Sequence, residues 1–468
     1  MHVPLDFVTQ IRVHLKAPLL SYHNTRFKMK FQTVALCVCL SAVSAAQLRV
    51  GTWNVTNYSS GRVSAFQTSI YGEFQGRKFA PDVFIGQEFL SQAGVTAFLS
   101  ILNTAPNSPG DWAAATFIDG PDTDSAFFYR TSKVTFLGQV IAAAGSSGTS
   151  GQPRNTMRYD FRLKGYSSER ATISAYSVHL KSGTGSTDLS RRLLEVNNII
   201  SNAGGLPPER SRMVAGDLNI QNASQSAYQT LTRSVNSFGP FIDPIASPGS
   251  WDNNNAFRFI HTQDPVGQMD SRYDQILLSP DLVDGVGMDY IGVQNLVYST
   301  TTWNDPNHSY RCWGNDGSSY NVPMTITGNS MVGSVIAQAL VDATPANGHL
   351  PVFLDIKAPA KMRLSETSID FGKMVVGETV SVPLDVYDDG DRVLWGPNGI
   401  AALTHNVTVP SGVVRDGGRR ILFARGKPIR YQISYTATSA GTKSGTVTVT
   451  SNDPDQLTVS LPYTASVR

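Results

Sequence analysis

The pattern of secondary structure expected from the sequence changes at a Lys-Ala-Pro-Ala-Lys segment at residues 357–361. Before it, short stretches rich in β-branched and aromatic residues alternate with amphipathic helical stretches, which is typical of a layered α+β domain. After it, only strand-like stretches appear, separated by turn residues, which favours an all-β sandwich. We therefore expect an α+β domain at 47–358 and a β-sandwich at 359–468.

The first 46 residues have the layout of a targeting segment. From Met29, a short basic start is followed by an apolar run at 31–44 and by small residues before Gln47, as in a secretory signal peptide. The run is too short to span a bilayer, and the alternative is a short buried helix. We expect residues 1–28 to be an over-extended start and 29–46 to be the signal peptide. The mature chain would then be secreted, extracellular or periplasmic, with no integral membrane segment.

Charge and cysteine content narrow the functional classes. The 468 residues carry 38 Lys and Arg against 36 Asp and Glu, a net charge of +2. Residues 1–46 hold five of the basic and one of the acidic residues, so the charge without them is −2. Nucleic-acid binding would therefore depend on a local patch or on a metal ion. Cys37 and Cys39 lie in the expected signal peptide, which leaves Cys312 alone and excludes a disulfide framework.

Polar or ionisable residues stand at the ends of several expected strands, where sites are usually built. Taken alone, each such segment is explained without a functional role. A Glu at a strand end is usually solvated, Gly-Asp-x-Asn is a common turn, and a His after a strand is usually structural. The segments are Thr52-Trp53-Asn54, Gly86-Gln87-Glu88, Ser177-Val178-His179-Leu180, Gly216-Asp217-Leu218-Asn219, Tyr273-Asp274-Gln275-Ile276 and Gly348-His349-Leu350-Pro351.

Taken together and in this order, the segments resemble the endonuclease/exonuclease/phosphatase superfamily. That family includes DNase I-like nucleases, abasic-site endonucleases, sphingomyelinases and inositol-polyphosphate phosphatases. The resemblance covers about 47–358 and implies a four-layer αββα sandwich, with two β-sheets face to face and helices outside. It implies a divalent-metal-dependent phosphoesterase, most readily a nuclease acting on nucleic acid, which the expected signal peptide would direct to secretion. A phosphatase or a phospholipid phosphodiesterase on the same scaffold is the alternative.

The resemblance also implies a metal centre and a water-activating group. Glu88 and Asn54 would hold Mg²⁺ or Mn²⁺, since a hard ion that keeps several waters needs few carboxylates. Asp217 would orient or deprotonate the attacking water. These roles suit phosphodiester hydrolysis, which must neutralise phosphate charge and activate water.

Further residues are implied to contact the phosphate. Asn219 and His179 would donate hydrogen bonds to it, and Arg154 falls where the family often has an arginine. His349 would stabilise the charge of the transition state as a cation. Asp274 would keep that ring cationic through a hydrogen bond to its other nitrogen.

One position departs from the family pattern. Family members usually carry an Asp directly before the final His, whereas this chain reads Asn347-Gly348-His349. Asn347 is a possible substitute for the missing carboxylate, and Asp355 is a poor one because it lies past the following strand. The departure keeps a second interpretation open, in which the chain is a binding protein or a catalytically weak enzyme on a hydrolase scaffold.

The C-terminal region has a resemblance of its own. Ile369-Asp370-Phe371-Gly372 with Val376-Gly377, and later Ser451-Asn452-Asp453-Pro454 after a strand-like stretch, are similar to immunoglobulin-like domains of the abnormal-spindle/major-sperm-protein type. Such modules carry no chemistry. The resemblance implies an accessory domain that attaches the enzyme to a surface or to another protein.

Overall fold

The computed structural model describes residues 47–233, 238–418 and 420–468; the expected leader at 1–46 lies outside these ranges. Up to residue 358, the strands are β1 (Leu48–Tyr58), β2 (Val83–Phe89), β3 (Trp112–Ala114), β4 (Asp124–Arg130), β5 (Val134–Ala143), β6 (Thr156–Leu163), β7 (Thr172–His179), β8 (Ser211–Asp217), β9 (Asp274–Leu278), β10 (Asp289–Tyr290), β11 (Arg311–Cys312) and β12 (Val352–Lys357). The α-helices there are α1 (Val63–Tyr71), α2 (Gln92–Thr104), α3 (Ser186–Gly204), α4 (Ser226–Thr232) and α5 (Gly333–Ala343).

Two sheets form the centre of this region. The described strands of the first follow the order β10-β12-β1-β2-β4-β3, with β11 also paired to β12, and those of the second follow β5-β6-β7-β8-β9. Apolar side chains of both sheets meet in one buried cluster, with Val50 and Ile85 from the first and Phe161 and Ile276 from the second. The two sheets therefore pack face to face, each strand turning alternate side chains toward the shared core.

Helices cover the outer faces of both sheets. On the first sheet, Phe98 of α2 and Ile336 of α5 share a buried cluster with Trp53 of β1. On the second, Val196 of α3 packs in a cluster with Tyr176 of β7, and α4 joins the same cluster. The layers run helix, sheet, sheet, helix, and the expected mixed α+β class is confirmed.

From residue 362 the chain forms two further sheets, ordered β13-β15-β19-β17 and β14-β21-β20-β16-β18 in the described residues. Leu384 and Ile433 of one sheet share a core with Val447 and Leu461 of the other. The elements are β13 (Met362–Leu364), β14 (Ile369–Met374), β15 (Thr379–Asp388), α6 (Arg392–Trp395), β16 (Leu403–Thr408), β17 (Val413–Arg415), β18 (Arg420–Leu422), β19 (Ile429–Thr436), β20 (Gly441–Ser451) and β21 (Thr458–Val467). Across the described ranges of the whole chain, no helix has the length and apolar character needed to cross a membrane.

The C-terminal sheets are packed against the α+β region through buried contacts. Trp395, only 1% exposed, belongs to the core that lies between the two central sheets. Lys133 Nζ donates to Leu394 O at 2.6 Å and lies 4.7 Å from the centre of the Trp395 ring. Asp455 accepts a hydrogen bond from the backbone N–H of Ser167 at 2.9 Å. The two regions therefore share an interface in addition to the chain that joins them.

Candidate active site

Strand pairing brings the expected site residues to one edge of the paired sheets. In the second sheet, β7 and β8 run parallel with His179 opposite Asp217, and the antiparallel β9 places Asp274 opposite Asp217. In the first sheet, Glu88 lies near the end of β2, and Asn54 lies where the regular parallel pairing of β1 with β2 stops. Side chains from both sheets meet there, because Asn54 Nδ2 lies 3.2 Å from Asp217 Oδ2.

His349 and Asp274 form a buried pair at the centre of this edge. Asp274 Oδ2 lies 2.6 Å from His349 Nδ1 and accepts a hydrogen bond from Thr262 Oγ1, also at 2.6 Å. Burial alone would lower the pKa of His349, but the charges of Asp274 and Asp217 and the hydrogen bond to Asp274 together raise it to about 9. His349 is therefore cationic at neutral pH, with an Nε2–H still to donate.

Asp217 faces the other nitrogen of His349. Its Oδ2 lies 3.6 Å from His349 Nε2, while its Oδ1 accepts the backbone N–H of Asn219 at 2.9 Å. Burial, and to a lesser extent the charges of Asp274 and Glu88, raises the pKa of Asp217 to about 6, against an opposing effect of His349. A carboxylate whose pKa lies near neutrality is suited to accept a proton at physiological pH.

The donors that would hold a metal ion are Glu88 and Asn54. Asn54 Nδ2 lies 2.9 Å from Glu88 Oε1, and Glu88 Oε2 accepts the backbone N–H of Asn57 at 2.9 Å. Glu88 has a φ of 63°, a conformation that a non-glycine residue keeps only when its surroundings hold it there. In the part of the chain that the structure describes, no three His, Cys, Asp or Glu side chains form a metal cluster. One carboxylate and one amide, next to Asp217, still fit a hard divalent ion that keeps its waters.

His179 lies between the two carboxylates but differs from His349 in charge. Its Nε2 is 3.5 Å from Asp217 Oδ2 and its Nδ1 is 3.8 Å from Glu88 Oε1. Burial above all, and then the charges of Arg154 and His349, hold the pKa of His179 well below its usual value. His179 is therefore a neutral ring, and its Nδ1 has no hydrogen-bond partner among the described residues.

Arg154 and Asn219 reach the site but are engaged with the protein itself. Arg154 Nη2 lies 2.9 Å from Asp122 Oδ2, and its Nη1 donates to the carbonyl of His179 at 3.4 Å. Asn219 Nδ2 donates to the carbonyl of Leu180 at 3.0 Å. Either side chain would have to exchange a protein partner for a phosphate oxygen.

Two supporting contacts were not expected from the sequence. Thr262 holds Asp274, as described above, from a segment without regular strand structure. Gln87 is fully buried, and its Nε2 donates to Thr52 Oγ1 at 3.1 Å and to Ser177 Oγ at 3.2 Å. This amide links the two sheets beside the site. A Gln at the end of an apolar strand stretch was the available signal, since an amide that becomes buried needs partners.

Asp355 does not replace the missing carboxylate. It lies within β12, and its Oδ1 is 2.7 Å from Arg49 Nε near the start of β1. Arg49 and Asn54 are five residues apart on one strand, so Asp355 lies roughly 16 Å from the site edge at about 3.3 Å per residue.

No protein-family model and no curated protein sequence matches this chain. Its structure is similar to the catalytic domain of human Nocturnin, with 13% identity, 66% of this chain and 94% of that chain covered, and a TM-score of 0.39. An endonuclease/exonuclease/phosphatase from Bacteroides vulgatus has 14% identity, 66% and 98% coverage and a TM-score of 0.39. One from Beutenbergia cavernae has 13% identity, 89% and 99% coverage and a TM-score of 0.37. Because likeness this low does not establish shared function, function is inferred from the contacts of the site.

Proposed function

We propose that this chain hydrolyses phosphoester bonds with the help of a divalent metal ion, and that phosphodiesters, nucleic acid first among them, are its substrates. One observation carries the proposal: Asp217 Oδ2 lies 3.6 Å from His349 Nε2, beside Glu88 and Asn54. A carboxylate able to take a proton and an imidazolium able to give a hydrogen bond meet at one place. Both groups assist the hydrolysis of a phosphoester, one by activating water and the other by stabilising the charge that develops on the phosphoryl oxygens.

The side chains divide the work by charge. Asp217, once deprotonated, accepts a proton from the attacking water, and the neighbouring amide of Asn54 helps to orient it. His349 donates its Nε2–H to a phosphoryl oxygen, and Asp274 keeps the ring cationic and correctly turned. A Mg²⁺ or Mn²⁺ ion held by Glu88 and Asn54 would neutralise charge on the phosphate. His179, as a neutral ring, donates a further hydrogen bond.

The alternative substrates are phosphomonoesters and phospholipid phosphodiesters. One contact favours them over a long polyanion: Asp122 pairs with Arg154 at 2.9 Å and so neutralises a cation beside the site. Tight binding of nucleic acid depends on cations that neutralise successive phosphates. The charge of −2 expected for the mature chain points the same way.

The non-enzymatic alternative is a binding protein on a hydrolase scaffold. It rests on Gly348, which stands where the family has an Asp. Against it, the Asp274–His349–Asp217 arrangement retains a charged donor and a proton acceptor side by side, with Asp274 Oδ2 2.6 Å from His349 Nδ1 and Asp217 Oδ2 3.6 Å from His349 Nε2. We therefore place the binding protein second.

The remaining parts of the proposal concern location and architecture. The mature chain is proposed to be secreted after loss of residues 29–46. The region 47–358 would carry the chemistry on a DNase I-like fold. The region 359–468 would be an immunoglobulin-like accessory domain that attaches to a surface or to another protein.

The test is a substrate panel with purified protein. Plasmid DNA, bis(p-nitrophenyl) phosphate and p-nitrophenyl phosphate are each incubated with Mg²⁺, with Mn²⁺ and with a chelator. We expect hydrolysis with a metal, loss with the chelator, and loss in the His349→Ala variant. Cleavage of DNA separates a nuclease from a phosphatase, and absence of turnover under every condition would refute the enzyme proposal for these substrates.

A further inference from the structure

Gln263 lies directly beside His349. The backbones of the two residues form an antiparallel bridge, and Leu350 N donates to the carbonyl of Thr262 at 2.8 Å. Residues opposed in this way turn their side chains to the same face. Gln263 Nε2 lies 3.2 Å from His349 Nε2, and Gln263 is partly exposed whereas His349 is buried. The amide of Gln263 therefore stands at the entrance to the ring nitrogen that faces the site.

The orientation of this amide is fixed by a second contact. Gln263 Nε2 also lies 3.2 Å from the carbonyl oxygen of Asn347, to which it donates. If the Gln263 amide were turned over, its Oε1 would face the carbonyl oxygen of Asn347, and two acceptors would repel each other. The Nε2 group of Gln263 is therefore the one that faces Asn347 and His349. Asp264 secures the same loop, since its Oδ2 accepts the backbone N–H of Asn347 at 2.8 Å.

The charge of His349 decides what this contact does. An uncharged ring can accept a hydrogen bond from Gln263 at Nε2. A cationic ring, the form that Asp274 and Asp217 favour, carries a hydrogen on Nε2, and two donors then face each other. Asp217 Oδ2, 3.6 Å from His349 Nε2, lies beyond hydrogen-bond distance, and a buried N–H without an acceptor costs free energy. An anionic oxygen next to both nitrogens would accept from both.

We propose that Gln263 is a second donor to the phosphoryl oxygen that His349 binds, and hence a further substrate-binding residue of this site. The inference rests on the proposed function, because that function supplies the phosphoryl oxygen. The backbone bridge fixes Gln263 relative to His349, so the two donors form a preorganised pair.

The first test compares variants that differ only in the donor. Gln263→Met keeps the length of the side chain and removes its N–H groups, and Gln263→Glu replaces them with acceptor oxygens. We expect kcat on bis(p-nitrophenyl) phosphate to fall about ten- to a hundredfold in both, with a smaller change in KM, because a donor to a charged oxygen acts most in the transition state. Gln268→Met is the matched control, since Gln268 is exposed in the same segment and should keep wild-type kinetics.

A second variant separates donation from loop support. Asp264→Ala also removes a contact with Asn347 but leaves the amide of Gln263 in place. If Gln263 only supports the loop, Asp264→Ala and Gln263→Met will lower kcat and the melting temperature equally, which would overturn the inference. A loss of kcat in Gln263→Met that exceeds its effect on melting temperature, and exceeds the loss in Asp264→Ala, supports it.

Calorimetric binding of inorganic phosphate gives a readout without turnover. We expect Gln263→Met to weaken this binding about tenfold relative to wild type and to Gln268→Met. If wild type binds phosphate, Gln263→Met weakens it, and no substrate is hydrolysed, the proposed function fails while the role of Gln263 stands. Wild-type phosphate binding and kcat in Gln263→Met would refute the role of Gln263 alone. A wild-type chain that neither binds phosphate nor hydrolyses any substrate would refute both.

Discussion

The α-carbon of Gly348 faces the carbonyl oxygen of Pro345, to which Gly348 N donates a hydrogen bond at 2.9 Å. A β-carbon at this position would lie 2.7 Å from that oxygen and 3.0 Å from the side chain of Thr344. The φ of Gly348 lies outside the left-handed region, so the backbone conformation does not itself require glycine. Glycine is favoured here because the tight turn leaves no space for a β-carbon. The loop that carries His349 is built without room for a side chain at position 348.

This crowding changes what Gly348→Asp should do. From the sequence alone, Gly348→Asp would restore the missing carboxylate and be predicted to raise activity or metal affinity. We now expect it to destabilise the fold by about 1–3 kcal/mol through overpacking and to lower activity by displacing His349. Urea unfolding and kcat measurements test this, with Gly348→Ala as the control that adds the β-carbon without the charge. Higher activity at undiminished stability would show that the turn can open.

Glu88→Gln should remove most metal-dependent activity and leave the fold intact. The amide keeps the shape of the side chain but lacks the charge that holds a hard cation. Activity is measured as a function of Mg²⁺ or Mn²⁺ concentration, with the melting temperature as the check on folding. Glu73→Gln is the matched control, because the Glu73 side chain is 55% exposed and its nearest cation, Lys78, is 3.9 Å away. Unchanged activity in Glu88→Gln would remove Glu88 from the metal site.

The pH dependence of kcat/KM should be bell-shaped. The value of kcat/KM should rise as Asp217, whose pKa is raised to about 6, loses its proton and becomes able to act as a base. It should fall as His349, whose pKa is raised to about 9, loses its proton and its charge. Asp274→Asn removes the charge that favours the cation, so its falling limb should move to lower pH. A falling limb at the same pH in Asp274→Asn would show that Asp274 does not control the charge of His349.

Glu195 should make stability fall as pH rises. It is 1% exposed, its Oε2 accepts the backbone N–H of Lys181 at 2.8 Å, and burial raises its pKa from 4.5 to about 7. The folded state binds this proton more tightly, so the contribution is complete below the unfolded pKa and is lost through pH 7. At about 1.4 kcal/mol per pKa unit, Glu195→Gln should gain on the order of 3 kcal/mol over wild type between pH 5 and pH 8.

Chemical unfolding at several pH values measures this gain. Glu209→Gln, which makes the same change at an exposed position, is the matched control. A constant difference between Glu195→Gln and wild type across the range would contradict the assignment of the raised pKa to Glu195.

Removal of the C-terminal region should lower the melting temperature but leave the activity per folded molecule unchanged. The site side chains all precede residue 350, so 47–358 should keep its activity. The buried Trp395 and the hydrogen bonds from Ala358 N to Gly399 O and from Ala401 N to Ala358 O would be lost with the tail. We expect 47–358 to melt at a lower temperature than 47–468, with equal activity per folded molecule. Loss of activity in a folded 47–358 would place part of the substrate groove in the tail.

Much of the fold followed from local pattern. Alternating or continuously apolar stretches predict strands at 48–55, 83–87, 172–179 and 212–216, close to the observed β1, β2, β7 and β8. β5 was missed because it is an edge strand with mixed exposure and two register shifts, which blur the alternation of side chains. α5 was missed although Ile336 and Leu340 have helical spacing.

The contacts of the site were harder to foresee than its members. The positions of strand ends in the sequence indicated which side chains could meet. They did not indicate that Asp122 would form a salt bridge with Arg154. The neighbours of His349 come from distant segments, with Asp274 75 and Gln263 86 residues away in the chain. No local pattern encodes such pairs, because they depend on how loops between strands pack. The crowding at Gly348 is likewise a property of the folded turn.

The docking of the C-terminal region through Trp395 has a mechanical consequence. A module on a flexible tether lets an enzyme turn freely over whatever it is anchored to. Here Lys133 reaches across to Leu394 and Asp455 reaches back to Ser167, so rotation between the regions would break polar contacts and expose an indole. A partner that binds the β-sandwich would therefore also fix the direction in which the site at His349 faces. The C-terminal region would then determine the orientation of the enzyme as well as its location.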